Sequence, residues 1–134
     1  MMLPHTRTAR LLTSVVRSDS SSIDANGRIP DGHPLVTGGS APAFLGIELG
    51  AQAAAALEGL ARMAAGDPPM RTGRLARVRE AVFLSERLPS ETDLQVVAEL
   101  EGAAPPLAIY RIRVLVDGRE ALRATISTHA GERS

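Results

Sequence analysis

From Ala43 to Ala65 the chain reads AFLGIELGAQAAAALEGLARMAA, apolar on almost every side. Leu45, Leu49, Ala53, Ala56, Leu60 and Met63 recur every three or four residues, which is helical spacing. Gly46, Gly50, Ala51, Ala54 and Ala55 fill the other faces. A helix apolar all round is expected to be buried on all sides. At roughly 1.5 Å per residue it spans on the order of 34 Å, long for a chain of 134 residues, so a sheet is expected to wrap it. Only Glu48 and Gln52 interrupt its first half, one turn apart on one face. An acid in such a surface needs a reason. Just before the helix, residues 31–42 form a Gly/Pro-rich loop, DGHPLVTGGSAP, with one histidine, His33.

Composition narrows the choices. The length fits one domain covering 1–134. Fifteen basic and fifteen acidic residues cancel, which disfavours a protein that must neutralise many phosphates. One Tyr, two Phe and no Trp leave few stacking platforms for single-stranded nucleic acid. No Cys means no disulfide and no thiolate metal site. His5, His33 and His129 are scattered with no acidic cluster at ligand spacing, so no metal is expected. Gly38-Gly39 is not followed by Lys and Ser or Thr, so it is no phosphate loop and should instead turn the chain tightly. Arg7 and Arg10 precede only six mixed residues, LLTSVV, too few for a signal peptide. The helix is interrupted by Glu48, Gln52 and Glu58, so no membrane span is expected, and the cytoplasm is the expected compartment.

Along the chain, residues 10–29 should give two strands, Leu11–Arg17 and Ile23–Ile29, separated by the serine cluster SDSSS. Asn26-Gly27 is the competing turn signal. Gly66, Asp67, Pro68 and Pro69 should stop the helix. Residues 74–128 then look purely β. Leu75–Leu84 places Ala76, Val78, Val82 and Leu84 on one face, interrupted by Glu80, with Arg77, Arg79, Ala81 and Phe83 opposite. Leu94 to Glu101 alternates most cleanly, and Gly102 to Pro106 breaks it. Tyr110, Ile112, Val114 and Val116 form the next inward face, and Asp117-Gly118 signals a hairpin into Glu120–Ile126. The tail from His129 should fray. The fold class is α+β, with one apolar helix from 43 to 65 on an antiparallel sheet of about six strands. Open edges and few aromatics make a thin core, so a dimer is expected.

A buried helix wrapped by six antiparallel strands is the hotdog arrangement. The central segment resembles its (3R)-hydroxyacyl-acyl carrier protein dehydratases of the FabA/FabZ type. The residues that carry the resemblance are LPH near the start, Gly32-His33-Pro34, Pro42, and the helix text GIELGAQAAAAL with its E-x-x-A-Q-like element. The run from His33 to Glu48 follows H-P-x-x-x-G-G-x-x-P-A-x-x-G-I-E, similar to the branch associated with aryl polyene pigment clusters. It departs from the FabZ-type loop by one extra residue between His and Glu, and by Ala43 where the family carries Gly.

The resemblance implies dehydration of 3-hydroxyacyl thioesters on acyl carrier protein to trans-2-enoyl thioesters. That reaction needs a base for the C2 proton, an acid for the departing C3 hydroxyl, and donors for the thioester enolate. An imidazole with an ordinary pKa of about 6.5 suits His33 for the base. Glu48 suits the acid, its proton favoured by desolvation over the weaker opposing pull of the helix N-terminus. Free N–H groups around Ala43 to Leu45 are the expected oxyanion donors. Gly39, Ala43, Phe44 and Gln52 are expected around the substrate, with Gln52 fixing Glu48 or a loop carbonyl rather than reacting. His33 of one protomer is implied to face Glu48 of the other, in a homodimer or in a heterodimer with another hotdog subunit. Arg71, Arg74 and Arg77, near Arg62 and Arg79, are expected to steer an acidic carrier protein, or simply to solvate a strand face. No cofactor is expected, since the acyl group arrives on the carrier's phosphopantetheine. The competing readings are a hotdog acyl thioesterase, which needs no loop histidine, and a non-catalytic partner subunit of a heteromeric dehydratase.

Overall fold

A computed structural model describes residues 10–66 and 73–130 of the chain. Eight strands and one helix follow in the order β1 (Leu12–Ser18), β2 (Ser22–Gly27), β3 (Ser40–Pro42), α1 (Leu45–Ala65), β4 (Gly73–Phe83), β5 (Arg87–Pro89), β6 (Leu94–Ala104), β7 (Leu107–Val116) and β8 (Arg119–Ala130). Six of them make one antiparallel sheet in the order β1-β2-β6-β7-β8-β4, and β3 pairs with β5 in a small second sheet. This is the hotdog arrangement, α+β with a single helix against six antiparallel strands.

Local chemistry accounts for the turns. β1 and β2 are joined at Ser18–Ser21, where the Asp19 carboxylate accepts the N–H groups of Ser21 and Ser22 at 2.8 and 2.9 Å. Those donors hold the Asp19 carboxyl below the usual range. Asn26-Gly27 stays inside β2 rather than turning: Asn26 pairs with Ser14 beside a bulge in β1 and with Gln95 in an unbroken ladder to β6. The Asp117-Gly118 hairpin forms as expected, both residues at positive φ, 52° and 78°. Gly66 closes the helix at φ 76°, its N–H directed to the Arg62 and Met63 carbonyls; the Asp67-Pro68-Pro69 part of that stop signal lies outside the described residues. His129 is exposed, as expected, yet it belongs to β8 and pairs with Arg74 and Leu107 instead of fraying.

The helix rests on the sheet through its small residues. A methyl added at Gly50 would come within 2.2 Å of Ile112, and one at Gly46 within 2.5 Å of Leu122. The Ile112 and Leu122 side chains of the sheet reach the helix only because Gly46 and Gly50, one turn apart, present bare backbone. Leu45, Ile47, Leu49, Ala53, Ala54 and Leu57 complete the buried side of the helix. The helix is not enclosed all round: Leu60 and Met63 are exposed, and Glu48, Ala51, Gln52, Ala55 and Ala56 are half-buried. One six-stranded sheet covers one side of a cylinder, so an apolar surround in sequence exceeds what a single protomer can bury.

β6 and β4 depart from the alternation expected of them. β6 runs through Gly102 to Ala104, because a bulge at Leu100/Gly102 absorbs the break expected there. β4 carries bulges between Leu75 and Arg77 and between Arg79 and Val82, with Glu80 at φ 53°. Val78 and Phe83 therefore sit opposite the inward Ile126 and Leu122, while Val82 joins Arg77 and Arg79 on the outer face opposite Arg123, Ser127 and Thr125. The expected grouping of Val82 with Val78 fails for that reason.

Candidate active site

The histidine loop is fastened at both ends by one buried serine. Ser90 donates its N–H to the Gly39 carbonyl at 2.9 Å and its hydroxyl to the Asp31 carboxylate. The Asp31 N–H in turn donates to the Glu91 carboxylate at 2.8 Å, and the Glu91 N–H to the Ile29 carbonyl at 2.8 Å. Between these anchors Gly38 and Gly39, at φ 62° and 83°, make the tight turn that brings Thr37 and Ser40 into reciprocal hydrogen bonds. β3 then pairs with β5, and Arg87 clamps Ser40 through its hydroxyl at 2.6 Å and its carbonyl at 2.8 Å. Sequence reasoning missed Ser90. Its only signal was a serine following Pro89 in a turn-rich segment, and the partners lie about fifty and sixty residues upstream.

His33 is half-buried in this loop. Its N–H donates to the Pro30 carbonyl at 2.9 Å and its carbonyl accepts the Val36 N–H at 3.0 Å, so the residue is held as a compact turn. The imidazole Nδ1 accepts the Leu35 N–H at 3.1 Å. A neutral ring that accepts at Nδ1 carries its proton on Nε2. In this conformation Nε2 is a donor, and removing a proton from substrate through Nε2 requires the Leu35 contact to break and Nδ1 to gain a hydrogen.

Phe44 caps the helix with backbone already helical (φ −63°, ψ −16°) and its side chain 54 % exposed. Glu48 lies in the first helical turn, half-buried. The Ala43 N–H, expected as an oxyanion donor, is occupied by the Glu86 carbonyl at 2.9 Å. Gly46 and Ile47 donate back to Ala43 and Phe44. Among the described residues no backbone partner is found for the N–H of Phe44 or Leu45, so these two remain the donors that a helix N-terminus offers. No hydrogen bond or ion pair joins His33 to Glu48 within the chain.

Gln52 serves the fold. Its side-chain carbonyl accepts the N–H groups of Leu11 and Leu12 at 2.7 and 2.9 Å, tying the start of β1 to the helix one turn beyond Glu48. Of the three arginines expected to meet a carrier protein, Arg77 is exposed on the outer sheet face opposite Ser127. Arg74 is placed in β4 opposite His129, its side chain outside the described set, and Arg71 lies outside the described residues altogether. Among the described residues there is no cluster of three His, Asp or Glu fit to hold a metal ion, and no helix long and apolar enough to cross a membrane.

The site's order is thus loop histidine, turn, helix N-terminus and carboxylate, all carried by residues 31–48 and stapled from β5 and the turn after it. The family model of ApeP-like proteins, described as ApeP dehydratase, matches residues 1–133. The chain belongs to the ApeP-like dehydratase family. No curated protein matches it. Among solved structures, the dehydratase heterocomplex ApeI:P from Xenorhabdus doucetiae superposes with a TM-score of 0.84 at 17 % identity, over 99 % of this chain and 94 % of that one. AziG from S. sahachiroi gives 0.65 at 13 % identity, over 91 % and 92 %. A mutant thioesterase from Pseudomonas aeruginosa gives 0.64 at 16 % identity, over 87 % and 78 %. At these identities the structural likenesses speak for the fold, which dehydratases and thioesterases share; the family match selects dehydratase for this ApeP-like chain.

Proposed function

We propose that the chain dehydrates 3-hydroxyacyl thioesters carried on acyl carrier protein to trans-2-enoyl thioesters, in fatty-acid-like or aryl polyene biosynthesis. The observation that carries this reading is the order His33, Glu48 at the mouth of the helix in a chain of the ApeP-like dehydratase family. Once the Leu35 N–H releases Nδ1 and the ring proton moves there, His33 Nε2 removes the C2 proton, Glu48 protonates the C3 hydroxyl as the C–O bond breaks, and the electron pair left at C2 forms the new double bond. Phe44 and Leu45 N–H groups stabilise the enolate oxygen while charge resides there. The atoms balance: one proton leaves C2, one reaches the hydroxyl, water departs, and both side chains reset by exchanging one proton.

Two protomers are part of the proposal. Within the chain no hydrogen bond or ion pair joins His33 to Glu48, and among the described residues β4 is a terminal strand of the sheet, carrying exposed apolar side chains. A second hotdog protomer pairing along that edge would cover Val78 and Phe83 and bring one chain's histidine to the other's carboxylate. The carrier protein, acidic by the reading proposed, meets Arg77 and its neighbours on the outer face.

Two contacts favour a second reading, in which the chain is the supporting subunit of a heteromeric dehydratase. Its Ala43 N–H is committed to Glu86, and its His33 Nδ1 to Leu35. The heteromeric ApeI:P complex is the precedent. The separating experiment incubates the purified chain alone with a 3-hydroxyacyl carrier protein and follows loss of one water by mass spectrometry. Enoyl product abolished by His33→Ala and by Glu48→Gln supports the first reading. Product only after adding a second hotdog subunit, and unaffected by His33→Ala, supports the other. Free acid in place of enoyl product would mark a thioesterase and overturn both.

A further inference from the structure

The loop that carries His33 has almost no hold on the core. From Asp31 to Gly39 no residue is buried; His33 and Val36 are half-buried, the rest exposed, and of these Val36 packs against the core. A segment with so little burial keeps one shape only through its polar contacts, which must offset the entropy of ordering it.

Its two ends are fixed by consecutive residues. Ser90 reaches the Gly39 carbonyl with its N–H and the Asp31 carboxylate with its hydroxyl, while the Glu91 carboxylate accepts the Asp31 N–H at 2.8 Å. The Thr92 hydroxyl donates to the Ser90 carbonyl at 3.0 Å, so every polar group of Ser90 is engaged. The base beneath is rigid, since Leu88, two residues earlier, is fully buried. Tyr110 aside, Ser90 is the only buried polar or charged residue among the described residues. Burying a hydroxyl is costly unless it is bonded. An alanine at this position would keep the Gly39 contact, which is made by backbone. The hydroxyl is therefore explained by the loop it holds and not by the core.

What the loop end controls is the ring. Asp31 lies between Pro30, whose carbonyl accepts the His33 N–H, and the turn in which the imidazole Nδ1 accepts the Leu35 N–H. The direction of the imidazole, and the nitrogen it turns outward, follow from that turn. Releasing Asp31 from Ser90 loosens the turn at its start while its far end stays tied at Gly39.

We infer that Ser90 is a positioning residue for His33: its hydroxyl, through the Asp31 carboxylate, holds the turn that aims the imidazole. The effect on rate rests on the dehydratase reading; the effect on the ring does not. The test uses variants of the full-length chain, in complex with a second subunit where activity requires one. Ser90→Ala and Asp31→Ala each remove the same hydrogen bond, the latter at an exposed site, so Asp31→Ala serves should Ser90→Ala not fold. Each should lower kcat about tenfold with KM within about twofold, because a displacement of a fraction of an ångström suffices. The double variant should be no slower than either single one, since one bond is lost in all three. Asp31→Asn keeps an acceptor and should recover most of the rate, and Arg119→Ala, exposed at the start of β8, should leave it unchanged. The ring is read separately by imidazole 15N NMR at alkaline pH, assigned from the signals missing in His33→Ala. The wild type should show the Nε2-protonated form, and Ser90→Ala or Asp31→Ala a mixture of both tautomers. Unchanged kcat in the alanine variants, additive losses in the double variant, or an unmoved ring signal overturns the inference and leaves wild-type dehydration standing. No dehydration by any chain, with the ring signal shifted, removes the catalytic reading and leaves the hold of Ser90 on the ring.

Discussion

β6 and β4 are both eleven residues long, and the same chain treats them in opposite ways. β6 lies between β2 and β7, and its Leu94, Val96 and Ala98 are fully shielded. β4 is an edge strand bonded to β8, and its Leu75, Val78, Val82 and Phe83 are 38–45 % exposed. A protein built to end at this edge would blunt it with charge and distortion. β4 has the distortion, in two bulges, and charge on its outer face in Arg77 and Arg79, yet it keeps apolar side chains in the open. The first half of β6 packs into the protomer's own core; β4 leaves apolar side chains that the proposed second protomer would cover. In the proposed function catalysis depends on that second protomer.

Val96→Asp places a charge at a position with no exposure; it should cost more than about 4 kcal/mol and leave no cooperative unfolding transition in urea. Val78→Asp adds the same charge to the edge. It should change protomer stability by less than about 1 kcal/mol, while native mass spectrometry shows single protomers and dehydration falls by about a hundredfold or more, since separated halves lack a complete site. A dimer persisting in that variant would remove β4 from the interface.

Gln52 sharpens the contrast from inside the helix. Gln52→Ala strands the Leu11 and Leu12 N–H groups and should cost about 1–3 kcal/mol, read as a lower urea midpoint. The effect on KM should be small, because its carbonyl is turned to β1. A large KM effect with unchanged stability would return Gln52 to the substrate.

The smallest effect is alkaline. Burial first, and the adjacent Glu58 carboxylate second, push the Tyr110 pKa above its ordinary value of 10.0. The unfolded chain releases the phenol proton near pH 10 and the folded chain holds it to higher pH, so the unfolded state binds fewer protons in that window. Stability should be unaffected by this group below about pH 10 and fall above it, by up to about 1.4 kcal/mol per pH unit. Tyr110 is the sole tyrosine, so tyrosinate absorbance should rise only with unfolding, and Tyr110→Phe should lose less stability on the same climb.

Much of this was legible in the residues. β6, β7 and β8 announce themselves because period-two burial and an Asp-Gly turn are local signals, and the 43–65 helix because its apolar spacing repeats over six turns. The pair proposed for catalysis, His33 and Glu48, rests on resemblance. What the residues hid is long-range or confined to the backbone. β3 and β5 are three residues each and contain Pro42 and Pro89; they exist because they pair with each other across the chain. The bulges in β4 turn Val82 outward, although Glu80 in an apolar strand hinted at a break. The capture of the Ala43 N–H by Glu86, and of His33 Nδ1 by Leu35, depends on loop coordinates that no composition or spacing encodes.

In the proposed function a complete site takes His33 from one protomer and Glu48 from another. The direct measurement is dehydration by mixed dimers formed by co-expressing His33→Ala and Glu48→Gln chains, each inactive alone. Random pairing of two symmetric protomers should restore about a quarter of the wild-type rate, from the half of the dimers that hold one intact site. Activity no higher than the sum of the two single variants would contradict it.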